Sequence, residues 1–254
     1  MKGLQLHLLT TLLMSLLLTG CYSYRQVGLL QERDDLPHYD SAAYEPYRLQ
    51  VNDEIIYRII SMDETIAKVM NGNGNTHTNF QYANSYRIYS DGTVDLPFLA
   101  PVKLSGLTEL EAQDTLRKVI REIIPDADVK LALYNKHFTI LGDAHSGTYS
   151  IYKERMTIFQ ALAMSGDLMN SGDRRHVRII RPHGNDEPEV LEFDIRTNTI
   201  IDSKYYYVYP NDLIYVSRDQ GSFYKQASYS SFLALITSSV ALLVTVLNYI
   251  PGVW

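Results

Sequence analysis

The sequence predicts an α+β fold on three observations. Short alternating runs such as Val129-Lys130-Leu131-Ala132-Leu133 and Val177-Arg178-Ile179-Ile180-Arg181 have the two-residue period of half-buried strands. Two isolated stretches, 107–123 and 156–164, carry a helical period instead. Strands and helices do not alternate at the regular spacing that a parallel α/β sheet needs, which leaves the mixed class.

In chain order, Lys2 precedes a leucine-rich run that ends at Leu18-Thr19-Gly20-Cys21. A charged start, a short apolar core and small residues before a break make a secretory signal. The core is too short for a comfortable membrane span. Cys21 is the one cysteine of the chain, and its setting resembles the lipobox of bacterial lipoproteins. That resemblance implies that its thiol receives diacylglycerol and that it becomes the new N-terminus. An ordinary signal with a coincidental cysteine is the alternative. With Cys21 committed, no thiol remains for a disulfide, a metal site or a nucleophile.

Residues 22 to about 44 are polar and aperiodic and read as a tether. Ordered signals begin at Tyr47-Arg48-Leu49-Gln50-Val51, followed by a turn at Asn52-Asp53 and the β-branched run 55–60. Asn71-Gly72-Asn73-Gly74-Asn75 offers amides where a calcium loop needs carboxylates, so it reads as a surface loop. Residues on either side of Asp91-Gly92 alternate, a strong hairpin signal. Thr108 with Glu111 forms a capping box, and Leu110, Leu116, Val119, Ile120 and Ile123 make the apolar face of the helix it opens before Pro125 stops it. A second unit starts near Val129, with strands at 129–133, 138–141, 147–151, 177–181, 190–195 and 205–216. Its short helix, 156–164, ends at Ser165-Gly166. Asn211-Asp212 repeats the Asn-Asp turn of 52–53 ahead of an apolar strand, through the same side-chain to backbone bonding.

A net charge of -6 without a basic stripe excludes nucleic acid as a partner. Twenty tyrosines against seven phenylalanines and one tryptophan suit half-buried strands, wet interfaces and sugar stacking. The histidines lie singly, and the chain has no H-E-x-x-H, no G-x-S-x-G, no phosphate loop and no dinucleotide fingerprint. Asp173-Arg174-Arg175-His176 reads as a solvated turn. The expectation is therefore a protein that is not an enzyme and uses no metal and no cofactor beyond the lipid on Cys21.

The tail from Phe232 to Ile250 is uncharged and, at about 1.5 Å per residue, comes close to a ~30 Å hydrocarbon core. It predicts a membrane-spanning helix. Ala234, Ser238, Ala241, Thr245 and Asn248 fall on one stripe, opposite Phe232, Ile236, Leu243, Val246, Leu247 and Ile250. Tyr224, Tyr229, Tyr249 and Trp254 bracket the segment as interface aromatics do. A helix facing lipid all round has no use for a polar stripe, because hydroxyl and amide groups need partners there. Two readings stay open: a lone anchor whose hydroxyls bond back to its own backbone, or a ring of identical helices with the stripe as pore lining or helix-packing face.

Several of these motifs together resemble the Wza-type outer-membrane polysaccharide export (OPX) lipoproteins. Residues 47–55, 87–97 and 102–112 look like successive parts of that family's polysaccharide export domain. Leu141-Gly142-Asp143-Ala144-His145-Ser146-Gly147-Thr148-Tyr149, with 157–166, looks like its soluble-ligand-binding (SLBB) β-grasp domain. Ser146 stands where the family usually has proline, and Ser165-Gly166-Asp167 where Ala-Gly-Gly is common. The resemblance implies a signal peptide at 1–20, a tether at 21–44, an export domain at 45–134, one β-grasp domain at 135–217 and a C-terminal membrane helix within 218–254. It further implies a homo-oligomeric ring, lipid-anchored in the outer membrane with its soluble domains in the periplasm. Capsular or exopolysaccharide would pass through an α-helical barrel, supplied by an inner-membrane co-polymerase kinase. A doubly anchored sugar-binding or scaffolding lipoprotein is the reading from another class.

Overall fold

The computed structural model describes residues 20–21, 24–71, 85–184, 186–226 and 229–249. Its buried apolar side chains form two clusters, one running from Leu49 to Leu133 and the other from Phe138 to Val216. Each has its own sheet and its own helix, so the mixed α+β class is observed.

A two-residue strand β1 (Gly20–Cys21) and a single helical turn α1 (Tyr24–Val27) open the described chain. Next come β2 (Glu54–Ile60), α2 (Glu64–Met70), β3 (Tyr86–Arg87), the short strands β4 (Thr93–Val94) and β5 (Val102–Lys103), α3 (Glu109–Arg121) and β6 (Asp128–Leu133). Strand β2 lies between β3 and β6, antiparallel to both. Ile55, Tyr57 and Ile59 point from it into the first cluster, at the two-residue period of a pleated strand. The loop read at Asn71–Asn75 lies outside the described residues beyond Asn71.

The hairpin at Asp91-Gly92 forms with very short arms. Ile88 bridges Val94, the Tyr89 amide donates to the Thr93 carbonyl at 2.8 Å, and Gly92 turns the chain at φ 82°. Helix α3 starts as its sequence predicts: the Glu111 amide donates to Thr108 Oγ1 at 3.2 Å and the Thr108 amide to Glu111 Oε2 at 2.9 Å. Its buried stripe is Ala112, Leu116 and Ile120, however, while Leu110 and Ile123 are exposed. Leu110 precedes Ala112 by two residues, about 200° around the helix, and Ile123 lies past the last turn.

The second unit contains β7 (His137–Gly142), β8 (Gly147–Ser150), β9 (Met156–Thr157), α4 (Ile158–Met164), β10 (Gly172–His183), β11 (Asp186–Phe193), β12 (Tyr207–Val208) and β13 (Leu213–Arg218). The strand order is β11-β10-β13-β7-β8, with β13 parallel to β7 and the other pairs antiparallel. Thr157 caps α4 in a second capping box, with Gln160 as its partner, and Ile158, Ala161 and Leu162 seat the helix on the sheet. Arg174 corrects the reading of 173–176 as a wholly solvated turn. Its side chain is buried and donates to the carbonyls of Leu168, Met169 and Gly172.

Residues 24–44 carry almost no regular structure, as their composition predicts, but they lie bonded along the second unit. The Gln31 amide donates to the Arg196 carbonyl at 2.6 Å, the Ala42 amide to Asp202 at 2.7 Å, and the Asp194 amide to Tyr39 Oη at 2.7 Å. Leu29 and Tyr39 pack against the second cluster. An aperiodic polar segment has no internal pattern that announces such contacts, because every partner lies far along the chain.

After β13 the chain forms β14 (Lys225–Gln226) and α5 (Tyr229–Tyr249), 21 residues without a charge. The helix agrees with the sequence reading; among the described residues no helix is long and apolar enough to cross a membrane. The side chains of Phe232, Leu243, Val246, Leu247 and Asn248, and all of 250–254, lie outside what is described.

Candidate functional site

Two regions bring functional candidates together: the pairing of β1 with β14 and the junction between the two units. At the first, β1 pairs in parallel with β14, Gly20 opposite Lys225 and Cys21 opposite Gln226. The residue read as the lipid attachment point thus sits in register with the residues that lead into α5. The leader before Gly20 lies outside the described residues.

On α5, Ala234, Ser238, Ala241 and Thr245 are all exposed, as are Leu233, Val240, Leu242 and Val244. Ser238 Oγ donates to the Leu235 carbonyl at 3.0 Å and Thr245 Oγ1 to the Ala241 carbonyl at 2.8 Å. Such back-bonding satisfies a hydroxyl within its own helix. The structure therefore brings four of the five stripe residues to an exposed stripe, with their hydroxyls satisfied locally. Asn248 lies in the helix, and its side chain is outside the described residues.

The unit junction is built by the two Asn-Asp turns. In each, the asparagine adopts a left-handed conformation, Asn52 at φ 71° and Asn211 at φ 67°, a state asparagine tolerates. In each, the aspartate closes a reciprocal pair with the residue three before it. The Asp53 amide donates to the Gln50 carbonyl at 3.1 Å while the Gln50 amide donates to Asp53 Oδ2 at 2.8 Å. The Asp212 amide donates to Tyr209 at 3.2 Å while the Tyr209 amide donates to Asp212 Oδ2 at 2.8 Å.

The neighbouring strand locks both turns. Ile88 bonds the first turn through its own amide and carbonyl, while His137 and Thr139 divide the same two bonds at the second. That difference is what antiparallel and parallel pairing require. The turns then meet, because Asn211 Nδ2 donates to Asp53 Oδ1 at 3.0 Å. The sequence showed the echo between the turns but carried no signal of their contact.

Both aspartates are almost fully buried. Asp53 accepts the Tyr47 hydroxyl at 2.8 Å besides its amide donors, and burial raises its carboxyl above the usual carboxylate value, outweighing those bonds. Burial raises the Tyr47 phenol, and the Asp53 charge adds to the effect. Asp212 is raised by burial, opposed by Arg181, which reaches it at 2.9 Å through both Nε and Nη2. A folded value above the unfolded one means that folding favours protonated Asp53. Its contribution is complete below the unfolded value of about 3.9 and is lost as pH rises through the raised folded value. Denaturant unfolding across the acid range is expected to show the wild type losing stability relative to Asp53→Asn as pH rises. A constant difference would contradict it.

A tyrosine and arginine stack, which sequence reasoning also missed, flanks this junction. The Tyr44 and Tyr209 rings lie 6.1 Å apart and nearly parallel at 14°. The Arg155 guanidinium sits 4.5 Å from the Tyr44 ring centre and that of Arg181 sits 4.2 Å from the Tyr209 ring centre. Tyr207 meets Tyr44 edge-on at 4.9 Å. The high tyrosine count was the only available signal. No cluster of His, Cys, Asp or Glu that could hold a metal occurs among the described residues.

The first unit carries the likeness to known proteins. Residues 41–133 match the family model of polysaccharide biosynthesis/export proteins. The matched stretch contains the first cluster, Leu49 to Leu133, with β2, α3 and β6 at its centre. A curated relative, the EPS I polysaccharide export outer membrane protein EpsA of Ralstonia solanacearum, is 26% identical over 101 residues, which are 38% of this chain. The match covers 27% of that relative's length. Proteins of the matched family are transport components rather than enzymes.

Proposed function

We propose that this chain is an outer-membrane component of polysaccharide export. In this reading Cys21 carries a lipid, residues 135–217 form the β-grasp domain, and copies of the chain assemble through α5 into a ring that passes capsular or exopolysaccharide. The observation that carries the reading is the family match over 41–133. The parallel pairing of Cys21 with Gln226 supports the placement, because one membrane surface then receives both the lipid and the start of α5. A helix with a hydroxyl-bearing stripe enters lipid in company, since that face then meets copies of itself or shared water. The soluble domains would face the periplasm and an inner-membrane co-polymerase kinase.

The test compares surface polysaccharide in cells lacking the gene after complementation with wild type, Cys21→Ser, a truncation after Gln226, and Ser238→Leu with Thr245→Leu. Loss of surface polymer in the deletion, restored only by wild type, is the expected result. Normal surface polymer in the deletion ends the proposal. Native mass measurement in mild detergent is expected to give a multimer of the wild type that the truncation abolishes.

The local bonding of Ser238 and Thr245 favours a second reading, a doubly anchored sugar-binding or scaffolding lipoprotein with a lone α5. A monomer in detergent that still binds sugar would select it.

A further inference from the structure

The stack beside the unit junction has a closed end and an open end. At the closed end, Arg181 is committed to Asp212 and to the Tyr207 carbonyl, and Tyr209 Oη donates to the Glu45 carbonyl at 2.7 Å. Those bonds explain Tyr209 and Arg181 as fasteners of residues 44–45 to the second unit. They do not explain Arg155, which caps the open end. Arg155 is exposed, and among the described residues no carboxylate lies within ion-pair distance of it. It belongs to the loop between β8 and β9, where Tyr152 is 62% exposed with the Lys153 ammonium 5.9 Å from its ring centre, and Lys153 and Glu154 are exposed too. Lys153 and Glu154 offset each other in formal charge, so the excess charge of the loop is the guanidinium.

An exposed tyrosine three residues from a guanidinium that stacks on Tyr44 and has no carboxylate partner has a definite complement. The apolar C–H face of a pyranose stacks on an aromatic ring, and a planar carboxylate takes two parallel bonds from a guanidinium. We propose that the 152–155 loop, with Tyr44 behind it, binds a uronate residue of an acidic polysaccharide, the sugar face on Tyr152 and the carboxylate on Arg155. This rests on the export reading for the nature of the cargo. The exposed carboxylates of Glu45 and Glu154 are the charges that oppose such a ligand, and they make the contact weak, as suits a polymer that has to move on.

The experiment is calorimetric titration of the full chain in mild detergent with oligogalacturonate and, separately, with a neutral maltooligosaccharide. Oligogalacturonate is expected to bind more tightly than the neutral sugar. Arg155→Ala should weaken it about tenfold without changing the neutral sugar or the melting temperature, Tyr152→Ala should weaken both sugars, and Glu154→Gln should tighten the acidic one. Equal affinity for the two sugars, no binding of either, or acidic binding untouched by Arg155→Ala overturns the site. Those outcomes leave the export reading standing if the gene deletion still abolishes surface polymer. Binding as expected alongside normal surface polymer in the deletion would instead keep the site and remove the export role.

Discussion

Arg181→Ala is expected to destabilise the second unit by about 3–5 kcal/mol, the usual cost of stripping a buried charge of its partner. Asp212 has no exposed surface, and the Arg181 side chain is only 14% exposed. The pair is held by two 2.9 Å bonds, from Nε to Oδ1 and from Nη2 to Oδ2. Removal of the guanidinium leaves the carboxylate with the Tyr209 amide as its remaining donor among the described contacts. It also removes the bond to the Tyr207 carbonyl and the cation over the Tyr209 ring. Arg181→Met combined with Asp212→Asn leaves no charge to strand and should recover much of the loss. Urea unfolding of the two variants decides the matter. Equal losses would mean that packing, and not the stranded carboxylate, sets the cost.

That pair also marks the limit of what the sequence displays. Local signals were legible because their partners lie a few residues away. Thr108 and Glu111 announce their capping box, which forms at the start of α3. The Asn-Asp turns were visible as a repeated dipeptide ahead of an apolar strand, and the hydroxyl stripe of α5 followed from spacing alone. Arg181 and Asp212 are 31 positions apart, Asn211 and Asp53 are 158 apart, and Tyr209 and Glu45 are 164 apart. No local pattern encodes such contacts, so the junction and the bonded path of residues 24–44 had to come from the fold. The uncharged run at 232–250 was legible as a local pattern, and the structure forms the helix Tyr229–Tyr249 there.

Gly142→Ala is expected to lower stability by at least about 3 kcal/mol, because backbone strain and a backbone collision act together. Gly142 ends β7 opposite Val216 of β13, at φ 102°. A Cβ added there would stand 2.0 Å from the Val216 carbonyl oxygen and 2.9 Å from its carbon. That oxygen cannot retreat cheaply, since it accepts the Asp143 amide at 2.7 Å. Nor can β13 move as a whole, because it is the central strand, held by β10 on one side and β7 on the other, with Ile214 and Val216 fully buried. Gly106 supplies the internal comparison: φ is 84°, and an added Cβ meets nothing within 4 Å. Gly106→Ala should therefore cost only the left-handed conformation, about 1–2 kcal/mol. The difference between the two substitutions measures the collision separately from the strain. If denaturation finds equal losses, β13 yields to the methyl group and the second sheet is softer than its packing indicates.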